Sequence, residues 1–133
     1  MFMGIKAILK EFKKRQDAEA QKSLVYSQNE TDTGKIWIDS KKIYRKVFIL
    51  PAIAKGTVYE VDISELKPSA YIQLYGFVQD FQNQYMPLLN SDTDNVILNI
   101  FLRINNDKLM VVMGKEKQIL NGFVVLEYTK TTN

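Results

Sequence analysis

The N-terminal residues have the apolar spacing of an amphipathic helix. Residues 3–22 contain no proline and no run of β-branched residues. Apolar side chains recur there at positions i, i+3, i+4 and i+7, which share one face of a helix, and they are Ile5, Ile8, Leu9 and Phe12. After Phe12 the same face becomes polar. The pattern therefore predicts a helix with a short apolar stripe.

A short helix with two turns of apolar surface is marginal in water and needs a surface to pack on. Three surfaces are open to it: copies of itself in a short coiled coil, a groove on a larger partner, or the rest of its own chain. In the first two cases, the stripe is the predicted oligomer or anchoring contact.

From Leu24 onward the chain consists of short apolar, β-branched and aromatic runs, separated by turn signals about every ten residues. This spacing is typical of an all-β sandwich or barrel. Strands are predicted near residues 24–27, 35–39, 43–50, 57–63, 70–78, 96–104, 109–113 and 122–130. The sequence thus predicts an N-terminal helix over 1–23 and a mainly β domain over 24–133, an antiparallel sandwich of jelly-roll-like type.

The turns between the predicted strands are readable in the same way. Residues 39–41, Asp-Ser-Lys, and residues 105–107, Asn-Asn-Asp, should each close a hairpin. The longest connection, residues 79–95, has a polar tip and is predicted to be a surface loop.

Two predicted strands have a second face that is too aromatic to lie simply in water. Residues 70–78 place core-type side chains on one face, and Tyr71, Gln73, Tyr75 and Phe77 on the other. Residues 96–104 likewise place Ile97, Asn99, Phe101 and Arg103 opposite an aliphatic face. The N-terminal helix, a second copy of the chain or a ligand that stacks on rings could cover these faces. The candidate interface or glycan-stacking residues are Tyr71, Tyr75, Phe77 and Phe101.

Charge and composition narrow the function classes. Residues 1–22 hold six basic and three acidic side chains, so they carry the whole net charge of +3 and the remaining chain is neutral. A neutral β domain gives no electrostatic reason to expect nucleic acid as a partner. No apolar stretch approaches the roughly 20 residues of a membrane helix, and the N-terminus does not fit a secretory signal. We therefore expect no membrane insertion, and a chain that stays in the compartment where it is made.

The absence of cysteine and histidine removes thiol and imidazole chemistry, both for catalysis and for metal binding. Asp92 and Asp94 resemble the opening of a calcium loop, but its glycine and its closing glutamate are missing. Glu60 and Asp62 share a strand face about 7 Å apart, a spacing compatible with a carboxylate pair for glycoside hydrolysis, although a solvated face explains them as well. We predict no cofactor, no metal site and no enzymatic activity.

The stretch TGKIWIDSKKIYRKVF, residues 33–48, resembles the opening of a β module common at the C-terminal ends of bacteriophage fibre and other virion surface proteins. The ending GFVVLEYTKTTN, residues 122–133, resembles the terminus of the same modules. Two departures are Ser40, where the hairpin usually has glycine, and Asn133, where the last residue is usually acidic. The family offers no catalytic motif to carry over.

The resemblance implies a virion structural protein: a homo-oligomer, typically a trimer, assembled in the host cytoplasm and displayed on the capsid, collar or tail as a head or tail fibre component. Its partners would be other virion proteins, and it could contribute to host attachment. The alternative is a carbohydrate-binding module that recognises host surface glycans through its aromatic side chains. An enzyme acting through Glu60 and Asp62 is the third hypothesis.

Overall fold

The structure is a computed structural model that describes residues 4–22, 24–88 and 100–132. The helix α1 spans Ile5–Lys22. The strands are β1 (Thr31–Ile36), β2 (Lys42–Leu50), β3 (Val58–Asp62), β4 (Pro68–Gln79), β5 (Tyr85–Pro87), β6 (Ile100–Asn105), β7 (Lys108–Met113) and β8 (Asn121–Lys130), with a short 3-10 helix at Ser64–Leu66. Asp92, Asp94, Ile97 and Asn99 lie outside the described residues.

The strands form two antiparallel sheets, which confirms the predicted mainly β fold with one N-terminal helix. A five-stranded sheet has the order β1-β2-β8-β4-β5, and a three-stranded sheet has the order β3-β7-β6. The chain passes repeatedly from one sheet to the other, and its last strand lies between β2 and β4. Connections of this Greek-key kind are typical of sandwiches.

The core lies between the inner faces of the two sheets. Its fully buried side chains include Leu50, Ile63, Leu102, Val111 and Leu126, which come from strands and connections of both sheets. Residues 124–129 are buried without interruption. Successive side chains of a strand point to opposite faces of the sheet, so an uninterrupted buried run means that both faces are covered. Over residues 124–129, the outer face of β8 is therefore covered as well as its core face.

Both predicted hairpins are present. Ser40 has φ 70° in the turn between β1 and β2, a left-handed conformation that costs a non-glycine residue free energy. Asn106 and Asp107 have φ 50° and 56° between β6 and β7, which suits a two-residue type I′ turn.

Two local predictions were wrong. Residues 24–27 form no strand element, although Val47 N–H donates to the Ser27 carbonyl at 2.9 Å along the sheet edge. The predicted loop over 79–95 contains the short strand β5. Gly122 lies inside β8 opposite Val78, and a Cβ there would come within 2.6 Å of the Phe77 carbonyl oxygen, so close backbone approach of β4 and β8 requires the glycine.

Candidate interaction surfaces

The apolar stripe of α1 is exposed. Ile5, Ile8, Leu9 and Phe12 retain between 53% and 75% of their accessible surface. The helix contacts β1, but the structure does not bury the stripe against the chain's own β domain, which was one of the three open arrangements. The stripe is available to copies of the chain or to a different protein.

Tyr75 and Phe77 lie on the outer face of the five-stranded sheet. Phe77 is opposite Phe123 of β8, and Phe123 is in turn opposite Ile49 of β2. Residues directly opposite one another on paired strands share a face. Tyr85 belongs to the same face because it is opposite Gln79, two residues beyond Phe77.

We call Ile49, Phe77, Tyr85 and Phe123 the aromatic patch. Their exposures are 55%, 44%, 70% and 36%, and the rings of Phe77 and Phe123 are 6.2 Å apart with a 33° tilt. They line a shallow depression of about 120 Å³ together with Gln79 and Asn121. Four strands of one sheet thus place apolar groups side by side in solvent.

Tyr71 does not share this face, so that part of the sequence prediction was wrong. Between Tyr71 and Gln73, β4 advances two residues while β8 advances one, from Tyr128 to Glu127. This irregularity is a β-bulge, and it turns Tyr71 to the side of Tyr128, a core residue. Tyr71 Oη then donates to Asp107 Oδ1 at 3.1 Å, in the turn of the other sheet. Burial, followed by this hydrogen bond, raises the pKa of Tyr71 to about 12.

Phe101 belongs to the other sheet altogether. It is opposite Val112 on the outer face of the three-stranded sheet, and it is 9% exposed. The guanidinium of Arg103 lies 5.9 Å from its ring centroid. The four predicted stacking residues therefore do not form one surface.

Tyr75 is already engaged within the chain. Burial and then a hydrogen bond with Tyr26 raise its pKa to about 12. Tyr26 belongs to residues 24–28, which we call the strap because they run along the sheet edge and cover part of its outer face. Phe77 is therefore the one member of the predicted aromatic set that presents an exposed ring on this face.

The strap covers a buried ion pair that sequence reasoning missed. Arg45 of β2 and Glu127 of β8 are opposite one another, 4% and 7% exposed, and their Nη2 and Oε1 atoms are 2.8 Å apart. Arg45 also donates to the Val25 carbonyl at 3.0 Å, and its guanidinium lies 4.2 Å from the centroid of the Tyr26 ring. The pair and the strap over it account for the burial of Glu127 on the outer face of β8.

The ion pair joins the two motifs that carry the resemblance. Tyr44-Arg45 in the first motif is paired with Tyr128-Glu127 in the second, and the two tyrosine rings are 6.1 Å apart. The arginine in the first motif and the glutamate in the second were the sequence signal that could have revealed the contact. Within the fold, the contacts between these two motifs hold β2 and β8 together.

A second polar cluster closes the same end of the sheet. Glu30 accepts hydrogen bonds from Tyr128 Oη and from Lys130 Nζ, the latter at 2.7 Å. Burial and the bond to Glu30 raise the pKa of Tyr128 far above its ordinary value. Lys130 Nζ also lies 5.1 Å from the Tyr44 ring centroid. The polar groups of Glu30, Tyr128 and Lys130 thus have their partners within the chain, and these contacts stabilise the fold.

An amide ladder borders the aromatic patch. Asn121 Nδ2 donates to Gln79 Oε1 at 3.2 Å, and Gln79 Nε2 donates to Asn83 Oδ1 at 3.3 Å. The backbone holds the ladder in place because Leu120 N–H donates to the Gln79 carbonyl at 2.8 Å.

A second depression, of about 220 Å³, lies at the turn between β4 and β5. It is lined by Lys55, Asp80, Phe81, Gln82, Gln84, Glu116, Lys117 and Gln118.

The carboxylates considered for catalysis have ordinary partners. Glu60 lies 3.7 Å from Lys108 Nζ, and both side chains are about half exposed. Hydrogen bonds from Ser64 hold the pKa of Asp62 below its ordinary value. Within residues 4–22, 24–88 and 100–132, no three acidic side chains come together as a metal site.

Comparisons with protein-family models, with curated protein sequences and with solved structures found no match for the chain. A membrane-spanning helix, which needs length and sustained apolar character together, is not found in the described part of the chain.

Proposed function

We propose that the chain is a structural protein of a bacteriophage virion, a homotrimeric head or tail fibre component displayed on the particle. The helix α1 would join the copies or anchor them to a capsid, collar or tail protein, and the β-sandwich would project outward. The chain would assemble into the virion in the host cytoplasm, with no cofactor and no catalytic role.

The observation that carries this proposal is the exposed stripe on α1. Full burial of a large apolar side chain contributes about 1.5–3 kcal/mol. Since Ile5, Ile8, Leu9 and Phe12 are each more than half exposed, their burial in a complex offers on the order of 5 kcal/mol per copy. A helix with that much unused apolar surface is suited to assembly. The resemblance of residues 33–48 and 122–133 to virion surface modules supplies the biological setting.

The oligomer is tested by light scattering on the purified protein. We expect a mass of three times 15.4 kDa at micromolar concentration. Phe12→Lys places a charge in the stripe and should dissociate the complex. Ala7→Lys adds the same charge on the opposite side of the same helix and is the matched control. A strict monomer for the unmodified chain, or equal dissociation by both variants, would contradict the helical contact.

The virion role is tested on particles. Mass spectrometry of purified phage whose genome encodes the chain should detect it, and antibody labelling should place it on the exterior in electron micrographs. Its absence from intact particles would refute the proposal, whatever the oligomeric state in solution.

Host-glycan recognition is the second candidate function, and the aromatic patch favours it. Aromatic rings exposed on a rigid sheet, next to polar groups, are the usual composition of a binding surface. A fibre that binds a host glycan would combine both functions in one molecule.

A further inference from the structure

We infer that the aromatic patch and the amide ladder together form one carbohydrate-binding site, in which a neutral pyranose lays its apolar face on Phe77 and Phe123 while Gln79 and Asn121 bind its hydroxyl groups. This inference develops the second candidate function and does not depend on the oligomeric state. It also moves the site away from Tyr71, Tyr75 and Phe101, because these three side chains are turned elsewhere or engaged.

A carbohydrate-binding site first needs a platform of aromatic rings on which the sugar can stack, and two rings of the aromatic patch provide it. Phe77 and Phe123 lie next to one another on adjacent strands, and their rings are tilted by only 33°. One face of a pyranose consists of C–H groups, which pack on the π-face of an aromatic ring. Tyr85, at 70% exposure, adds a phenol whose hydroxyl can serve as a polar contact at the border of the platform.

Such a site also needs hydrogen-bonding groups for the sugar hydroxyls, and the amide ladder provides them. A side-chain amide has two N–H donors and an oxygen with two lone pairs. The ladder uses one donor of Asn121 and one of Gln79. The second donor of each nitrogen can therefore face a ligand. A sugar hydroxyl both donates and accepts, so it matches a group that offers both.

Charge favours a neutral sugar over an anionic one. The depression at the patch is lined by apolar side chains and the amides of Gln79 and Asn121, with no acidic or basic side chain in its lining. The second depression does contain charged groups, and there Lys55 and Lys117 are balanced by Asp80 and Glu116.

The exposed area argues for a small ligand and against a protein partner. The four patch residues together expose about the surface of two large side chains, on the order of 400 Å². A stable protein interface needs about 800 Å² from each partner. A sugar ring, by contrast, needs little more than two adjacent rings and a few hydrogen bonds.

The test begins with the unmodified full chain. A glycan array carrying glucose, galactose, N-acetylglucosamine and rhamnose, singly and as oligosaccharides, provides the probes. The strongest probe is then titrated into ¹⁵N-labelled protein. We expect amide signals of Asn121, Gln79 and Phe123 to shift while those of Phe101 and Tyr71 stay in place. This measurement requires no variant to fold.

Variants then locate the site by calorimetry. Phe77→Ala and Phe123→Ala should each weaken binding of that probe roughly tenfold or more, because each removes one of two stacking rings. Asn121→Ala should weaken it less. The matched control is Phe81→Ala, which removes a phenyl ring that is more exposed, at 55%, and lies outside the patch depression; this variant should leave the affinity unchanged.

Three results would overturn the inference. They are no binding of any probe by the unmodified chain, signal shifts outside the patch, and loss of the oligomer in Phe77→Ala, which would make the patch a subunit interface. The first two leave the virion proposal standing, since that proposal is decided by light scattering and by particle composition.

Discussion

The buried ion pair of Arg45 and Glu127 allows a direct test of what holds together residues 33–48 and residues 122–133, the two segments that resemble virion surface modules. Glu127→Gln keeps the shape of the side chain and removes its charge. The guanidinium of Arg45, 4% exposed, would then stay buried without the negative charge of Glu127 beside it. Removing one partner of a buried ion pair costs about 3–5 kcal/mol.

The structure places the expected loss near the lower end of that range. At about 4 Å between charge centres, the attraction is about 4 kcal/mol for an effective dielectric constant near 20. Arg45 would retain the Val25 carbonyl and the face of Tyr26, both of which stabilise a cation. We therefore expect Glu127→Gln to lower the free energy of unfolding by about 3 kcal/mol, or the melting temperature by roughly 10 °C.

The assay is urea and thermal unfolding followed by circular dichroism, at one fixed protein concentration because the oligomeric state contributes to stability. Glu60→Gln is the matched control: it makes the same change in an exposed pair with a 3.7 Å separation and should cost less than about 0.5 kcal/mol. The double variant Arg45→Met with Glu127→Leu should recover much of the loss, because no charge remains buried. Equal effects of Glu127→Gln and Glu60→Gln would refute this account.

Two further predictions concern the turn and the tyrosines. Ser40→Gly should raise the free energy of unfolding by about 0.5–1 kcal/mol in urea titrations, because glycine adopts the φ of 70° without steric cost; no gain would mean that Ser40 is not strained. Because the folded pKa of Tyr71 is about 12 against an ordinary 10, its contribution to stability is complete below pH 10 and is lost as the pH rises toward 12. Tyr71→Phe should therefore reduce the fall in stability between those pH values, measured by urea unfolding at each pH, and an unchanged pH profile would contradict the contact with Asp107.

The limits of sequence reasoning are visible at β4. Alternation along residues 70–78 correctly placed Leu74 and Val78 in the core and Phe77 on the opposite face. It failed for Tyr71, since a bulge between Tyr71 and Gln73 adds one residue to β4 but not to β8 and moves Tyr71 to the other face. Nothing in the local pattern marks that bulge, because it depends on how two distant strands pair.

The aromatic patch was only partly predictable for the same reason. Phe77 was identified, whereas Phe123, Ile49 and Tyr85 were not, although each is visible as an apolar residue in the sequence. They come from three other strands, and only the register between the strands makes them neighbours. The amide ladder likewise joins Gln79 to Asn121 across 42 positions of the chain.

The sequence by itself determined the local elements of this protein: an N-terminal helix with an apolar stripe, β-strands with period-two alternation, and two tight hairpins. These follow from interactions between residues a few positions apart. Only the tertiary structure decided which faces meet, that Arg45 and Glu127 form a buried pair across 82 positions, and which rings remain in solvent. The physical reason is that strand pairing is a long-range choice, and a shift of one residue in register exchanges the buried and exposed faces of a whole strand.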